Sequence, residues 1–306
     1  MNILYVHRTQ AGGVEGVHIG EIVKAMRHRG HTVHIVSPVG EQLGDVAGGA
    51  TTAGWRQRCY RFVTRSMPEL VFELLELVYN LKAARDIRRR FVATDVDAIF
   101  ERYAIFGLAG ARIARQWRKP FYLEINYTAQ SPLVRRRARL LKPLARMLDR
   151  RLFRQADGLF AVSTYLKDHL IRDYGVAPDR IAVLPNAADP VVFDPAKIRP
   201  AAASAGGRLI GFVGGFYPWH GLPLLVQAFA RLAPEFPEAR LLLIGDGPMR
   251  PEIEQAVRAA ALDGRVMLPG RLPHAELPGW LAGFHVGVMP DSNGYGSPMK
   301  IFECTA

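Results

Sequence analysis

The sequence predicts an α/β protein built from two doubly wound domains, each with a parallel sheet. Three observations carry this. Apolar strand-like runs alternate with helix-periodic segments along most of the chain, and several runs end in glycine loops. A stretch rich in Ala, Pro, Ser and Gly at 196–207 interrupts the alternation and reads as a linker, so the domains span 1–195 and 208–306. A length of 306 residues suits two domains better than one.

The composition, 49% hydrophobic and 22% charged, is that of a soluble globular protein. Met1 to Val6 reads as a buried strand rather than a secretory leader. No run reaches the ~18 apolar residues that a membrane span needs. Cys59 and Cys304 offer neither metal spacing nor a disulfide framework, which fits a reducing cytoplasm, and no metal or other cofactor is expected. The net charge of +12, from 40 basic and 28 acidic residues, points to an anionic partner. No nucleic-acid motif accompanies it, so a phosphorylated substrate or an anionic membrane surface is the better expectation.

Taken in order, Met1–His7 is a strand, Gln10 to Gly16 a glycine loop, Val17–His28 a helix and His31–Ser37 a second strand, a βαβ unit. Gly12 and Gly13 allow backbone to approach a ligand, but G-G-x-x-G is not the dinucleotide spacing and no acidic residue follows the second strand. Trp55–Phe91 is helical in pattern. Strands at Asp97–Phe100 and Phe121–Ile125 lead into Glu101, Glu124 and Asn126, which stand at strand carboxyl ends where ligands of open parallel sheets bind. Leu133–Arg154 carries an arginine stripe beside an apolar one, with Pro143 kinking or splitting the helix. Such a stretch can lie on anionic lipid or pack as a surface helix with solvated arginines. Strands at Gly158–Val162 and Ile181–Leu184 complete this half.

The second half repeats the alternation. Strands at Arg208–Val213, Arg240–Ile244 and Val266–Leu268 are followed by loops at 214–221, 245–248 and 270–274, and a strand at Val286–Met289 precedes the last segment. There, Gly294 and Gly296 free the backbone, Ser297 can cap a helix and Pro298 suits its first turn. Lys300 and Glu303 share a face. A helix start with a cation and, one turn on, a carboxylate able to accept a diol would make a nucleotide site. A capped surface helix with a Lys–Glu pair is the alternative. Because all these loops follow strands, they share one sheet edge, which favours the nucleotide site.

Four ordered stretches resemble the retaining glycosyltransferases of the GT-B fold, family four, also called group 1. They are Val162-Ser163 with Pro185-Asn186-Ala187-Ala188-Asp189 and Phe193; Val213-Gly214-Gly215-Phe216 through His220-Gly221; Leu243-Ile244-Gly245-Asp246-Gly247-Pro248; and Pro290 with Ser297-Pro298-Met299-Lys300-Ile301-Phe302-Glu303. The resemblance implies two Rossmann-like domains facing a cleft and transfer of a sugar from a nucleotide-sugar donor to a glycan or lipid-linked acceptor. It implies that Glu303 holds the ribose diol and that Gly296, Ser297 and Pro298 meet the diphosphate or sugar. Arg271 and Leu272 would flank the base, Gly245 would line the donor pocket, and Gly12 and Gly13 would approach the diphosphate. Glu101 and Glu124 fall on the acceptor side.

Departures from the family pattern accompany the match. Gly215 and His220 stand where the family places an arginine and a lysine, Asn126 where many members have a histidine, and Tyr295 where the first glutamate of its Glu-x7-Glu signature lies. Lys300 would then supply the missing cation, and Asn126 and Lys300 are the catalytic candidates. The family continues beyond the equivalent of Ala306, which implies a truncated chain with an incomplete second domain. The expected location is cytoplasmic, peripheral to the inner membrane face through the basic 133–154 stretch. A non-catalytic nucleotide-sugar-binding protein is the alternative function.

Overall fold

The computed structural model describes residues 1–9, 13–38, 68–131, 140–201, 207–292, 294 and 296–305. Its contacts divide the chain into two compact units that part between Pro185 and Asn186.

The first unit runs β1 (Asn2–Val6), α1 (Gly13–His28), β2 (Thr32–Val36), α2 (Glu69–Arg90), β3 (Ala98–Arg102), α3 (Ala109–Trp117), β4 (Phe121–Ile125), α4 (Lys142–Gln155), β5 (Gly158–Ala161), α5 (Thr164–Tyr174) and β6 (Ile181–Val183). Its six strands are parallel in the order β2-β1-β3-β4-β5-β6. Strands covered by helices on both faces bury nearly every side chain, so they read as continuous apolar runs. Within β1, Ile3 and Tyr5 pack with Ile19 and Val23 of α1. Leu4 and Val6 pack on the other face, with Ile87 of α2, Ile113 of α3 and Leu152 of α4. The strand order reverses beside β1, which places a ligand crevice outside the carboxyl ends of β1 and β3.

The second unit runs β7 (Arg208–Val213), α6 (Leu222–Leu232), β8 (Ala239–Ile244), α7 (Arg250–Ala259), β9 (Val266–Gly270), α8 (Leu277–Leu281), β10 (Val286–Gly287) and α9 (Met299–Thr305). Its small parallel sheet has the order β10-β7-β8-β9. Phe212, Leu241 and Leu243 pack under α6 and α7, while Leu209, Val213, Leu242 and Ile244 pack toward α8. Here the order reverses at β7 and β10, so the crevice lies where the 214–221 loop and the approach to α9 meet.

Three expectations change. The helix after the glycine loop begins at Gly13, not at Val17. Pro143 neither kinks nor splits a helix within the described residues; it sits in the first turn of α4, where its missing N–H costs nothing. Residues 186–195, read as part of the first domain, pack with the second unit: Phe193 is buried against Leu209 and Leu277, and Ala188 and Val192 join it. Further along, Ala201 N–H bonds Gly279 O at 2.7 Å. The low-complexity composition marks the linker, but the apolar side chains ahead of it decide where the chain docks. Gly12, the segment 39–67, the 132–139 part of the basic stretch and Tyr295 lie outside the described residues.

Candidate functional site

In the second unit the loops after β7, β8 and β9 are laced together through backbone. Gly214 N–H bonds Ile244 O at 2.9 Å, Phe216 N–H bonds Asp246 O at 3.0 Å, and Gly245 N–H bonds Gly270 O at 2.8 Å. The glycines permit this approach. Gly245 has φ 138°, and a Cβ there would sit 1.9 Å from Gly214 O.

Lys300, from the first turn of α9, comes in over this floor. A Cβ on Gly214 would lie 2.5 Å from its Nζ, so only glycine leaves room for the amine. The amine also rides 4.6 Å above the Phe212 ring. His220 fixes it from the side. The ring Nδ1 bonds the carbonyl of Gly215, which can only accept, so Nδ1 carries the proton. Nε2 is then a lone pair and accepts from Lys300 Nζ at 3.1 Å. Burial, and then the Lys300 charge, hold His220 down at about 4, so it is neutral. Burial lowers the Lys300 amine to about 8 from the usual 10.5. Beside them the Tyr217 and Trp219 rings stack 4.5 Å apart, and Tyr217 fills the space a side chain at Gly215 would need.

Glu303, one turn after Lys300, is buried and turns elsewhere: its Oε1 lies 3.2 Å from Nε2 of His274. His274 in turn packs edge-on against Phe193 at 5.7 Å. Lys300 and Glu303 therefore have separate partners rather than forming a simple surface pair. Leu272 is half-buried on the core that includes Phe193, Arg271 is exposed, and Gly296, Ser297 and Pro298 lead directly into α9.

In the first unit a buried polar hub stands at the carboxyl ends of β1, β3 and β4. Glu124 Oε1 accepts from His18 Nε2 at 2.7 Å, from Asn126 Nδ2 at 2.7 Å and from Arg102 Nη1, while Oε2 accepts from Tyr5 Oη at 3.1 Å. Burial alone would raise its pKa. The hydrogen bond from His18 and the charge of Arg102 outweigh that and hold the carboxyl at about 2 against the usual 4.5. Glu124 is thus an anchor that orients His18, Arg102 and Asn126. Of these, sequence reasoning found only Asn126. His18 is in the early turns of α1, and the signal for Arg102 was its place at the end of β3.

Glu101 departs from its expected place on the acceptor side. It points to the other face of the sheet, into the first turn of α3, and is 2% exposed. A Cβ on Gly110 would lie 2.2 Å from its Oε2. Burial raises it to about 7, against the pull of Arg8 and of the Gly110 and Ala111 amides. Strand parity explains the split: Phe100 and Arg102 face α1, as do Tyr122 and Glu124, whereas Ile99 and Glu101 face α3.

The hub supports a prediction. Glu124→Gln leaves Arg102 buried without its counter-charge and should destabilise the first unit by about 3–5 kcal/mol in urea unfolding. The folded carboxyl is depressed, so the wild-type contribution is complete above pH 4.5 and is lost as pH falls toward 2. The Gln variant should lack that acid-dependent loss; equal stability across that range in both proteins would refute the assignment.

The model of Glycosyltransferase Family 4 matches residues 11–192, more than half of the chain. The chain belongs to this family. A model of the glycosyl transferases group 1 matches residues 207–306 of the family 4 chain. Among curated relatives, the 2-deoxystreptamine glucosyltransferase of Streptomyces kanamyceticus is 33% identical over 162 residues, 50% of this chain and 41% of that protein. A phosphatidylinositol N-acetylglucosaminyltransferase of Arabidopsis thaliana is 27% identical over 130 residues, 42% of this chain and 28% of that protein. The chain spans less than half the length of these relatives. The GT-B fold is shared with Anabaena HepE in complex with UDP, at TM-score 0.68 and 18% identity, covering 99% of this chain and 78% of that one. A glycosyltransferase from Rickettsia africae matches at TM-score 0.62 and 16% identity, covering 95% and 73%.

Among the described residues no group of three or more His, Cys, Asp or Glu side chains is placed to hold a metal, and no helix is long and apolar enough to cross a membrane.

Proposed function

We propose that this family 4 chain transfers a hexose from a nucleotide-sugar to a glycan or lipid-linked acceptor with retention of configuration. The bond from the anomeric carbon to the diphosphate breaks, the nucleoside diphosphate leaves, and the acceptor hydroxyl adds as it gives up its proton. The observation that carries this reading is Lys300 seated on Gly214 and steered by a neutral His220. A fixed cation at the start of α9 meets the charge that builds on the leaving diphosphate. Tyr217 occupies the room an arginine at position 215 would need, so Lys300 takes over that charge, and His220 acts through it. Glu303 takes the ribose diol, Arg271 and Leu272 flank the base, and no metal or organic cofactor has a part. Asn126, tied to Glu124, faces the acceptor. The HepE structures, one with UDP and one with UDP-glucose, support a uridine donor. The phosphatidylinositol-directed relative supports a lipid-linked acceptor and action at the inner membrane face.

A thermal-shift panel of UDP-, GDP- and ADP-sugars tests the donor site, followed by transfer from radiolabelled donors to membranes and glycans. One nucleotide class should stabilise the protein and turn over; no stabilisation by any of them overturns the reading. Because Gly215 and His220 stand where the family places cations, the second reading is a donor-binding protein. Tight binding with neither transfer nor hydrolysis would favour it.

A further inference from the structure

The long helix α2 is apolar on two opposite sides. Phe72, Ala83, Ala84 and Ile87 are buried toward the sheet. At 100° per residue, Leu70, Val71, Leu74, Leu75, Val78 and Leu81 fall on the far side, and each is between 42% and 59% exposed. Such a contiguous exposed patch is unusual on a soluble surface. Along its centre the strip continues at helical spacing from Leu70, Leu74, Val78 and Leu81 into Arg85 and Arg88, with Arg89 alongside, all exposed. The acids of the helix lie off this strip. Glu73 is buried and accepts the Leu141 N–H at 3.0 Å, Glu76 lies 3.9 Å from Arg8, and Asp86 pairs with Lys82 at 2.8 Å.

We infer that this outer face of α2 docks on an anionic phospholipid surface, with the leucines and valines in the acyl boundary and Arg85, Arg88 and Arg89 among the lipid phosphates. The inference deepens the lipid-linked acceptor reading above and rests on it for its purpose, but it moves the main contact from the basic 133–154 stretch to a helix that composition alone presents as an ordinary arginine-ended one. Charge chooses the occupant. The strip carries cations and no acid, in a chain of net charge +12, which suits lipid phosphates and ill suits a second copy of the same cationic face. Apolar insertion beside basic residues is the composition of helices that lie in the interface. Glu73 also ties α2 to the start of α4, where Lys142, Arg146 and Arg150 line a groove of about 590 Å³, so a second cationic element begins beside it.

Co-sedimentation of the full chain with phosphatidylcholine vesicles, and with vesicles containing phosphatidylglycerol, tests this. The chain should sediment with the anionic vesicles and much less with the neutral ones. Leu74→Glu with Val78→Glu should lower that partitioning at least about tenfold. Arg85→Glu with Arg89→Glu should abolish the preference for phosphatidylglycerol and its salt sensitivity. Partitioning as strong in both double variants as in the parent overturns the inference. So does a dimer that the leucine–valine variant dissociates while the parent ignores vesicles. The donor-induced thermal shift, read on the same proteins, keeps the two proposals apart: an intact shift with lost vesicle binding supports both, and vesicle binding with no shift condemns only the donor site. If the leucine–valine variant fails to fold, the exposed arginine pair decides.

Discussion

Lys300→Met should lower sugar transfer by about 10²–10³-fold, the cost of removing one fixed charge from the developing leaving group. Methionine keeps the unbranched stem that threads over Gly214 and loses the cation, so the fold of the second unit should survive and donor binding should weaken less than turnover. Lys300→Arg should not rescue it. The amine is held where a Cβ on Gly214 would lie 2.5 Å away, over the Phe212 ring and against one lone pair of His220, a seat that fits a point donor and not a planar fork. The pH profile gives an independent readout. The free protein holds the amine at about 8, so the cation is present below that pH and lost above it, and kcat/KM should fall as pH rises through about 8. A bound diphosphate favours the charged form, so the fall in kcat should come at higher pH than the fall in kcat/KM. In Lys300→Met the alkaline limb should vanish. A variant that keeps both the rate and the limb would remove Lys300 from the mechanism.

Much of this architecture was legible because parallel strands buried on both faces leave plain apolar runs, as Ile3–Val6 and Leu241–Ile244 do, and because loops that must touch through backbone need glycine, as Gly214 and Gly245 do. The direction of single side chains was less legible. Glu101 and Glu124 look alike as acids near strand ends, yet parity sends one beneath α3 and the other into the hub under α1. Parity was available: Glu101 alternates with Ile99, and Glu124 with Tyr122. The partner of His220 was not available, since Lys300 arrives from 80 positions away and only the turned backbone of Gly214 admits it. The same holds for His274, which meets Glu303 across 29 positions. The docking of Phe193 was hidden by the linker composition that follows it.

Glu303→Ala should reduce donor affinity by about 10²-fold or more, since two charge-assisted hydrogen bonds to a diol contribute about 1.5–3 kcal/mol each. In the thermal-shift panel the stabilisation by the productive nucleotide-sugar should disappear. Glu303→Gln, which keeps one acceptor, should retain a small part. The rival explanation is that Glu303 merely braces α9 through His274, which lies 3.2 Å away and is itself packed on Phe193. His274→Ala separates the two. If Glu303 grips the diol, losing His274 leaves the carboxylate in place and frees the oxygen it shared, so the donor shift should persist while the unliganded protein melts slightly lower. If Glu303 is only a brace, the two variants should lose the same baseline stability and the same donor response. Donor competition adds a further discriminator: nucleoside diphosphates carrying ribose should compete well against the wild type, whereas their 2′,3′-dideoxy analogues should not. In Glu303→Ala that preference should collapse to nearly equal, weak competition, because the group that told a diol from its absence is gone. A preserved preference in that variant would place the ribose contact elsewhere.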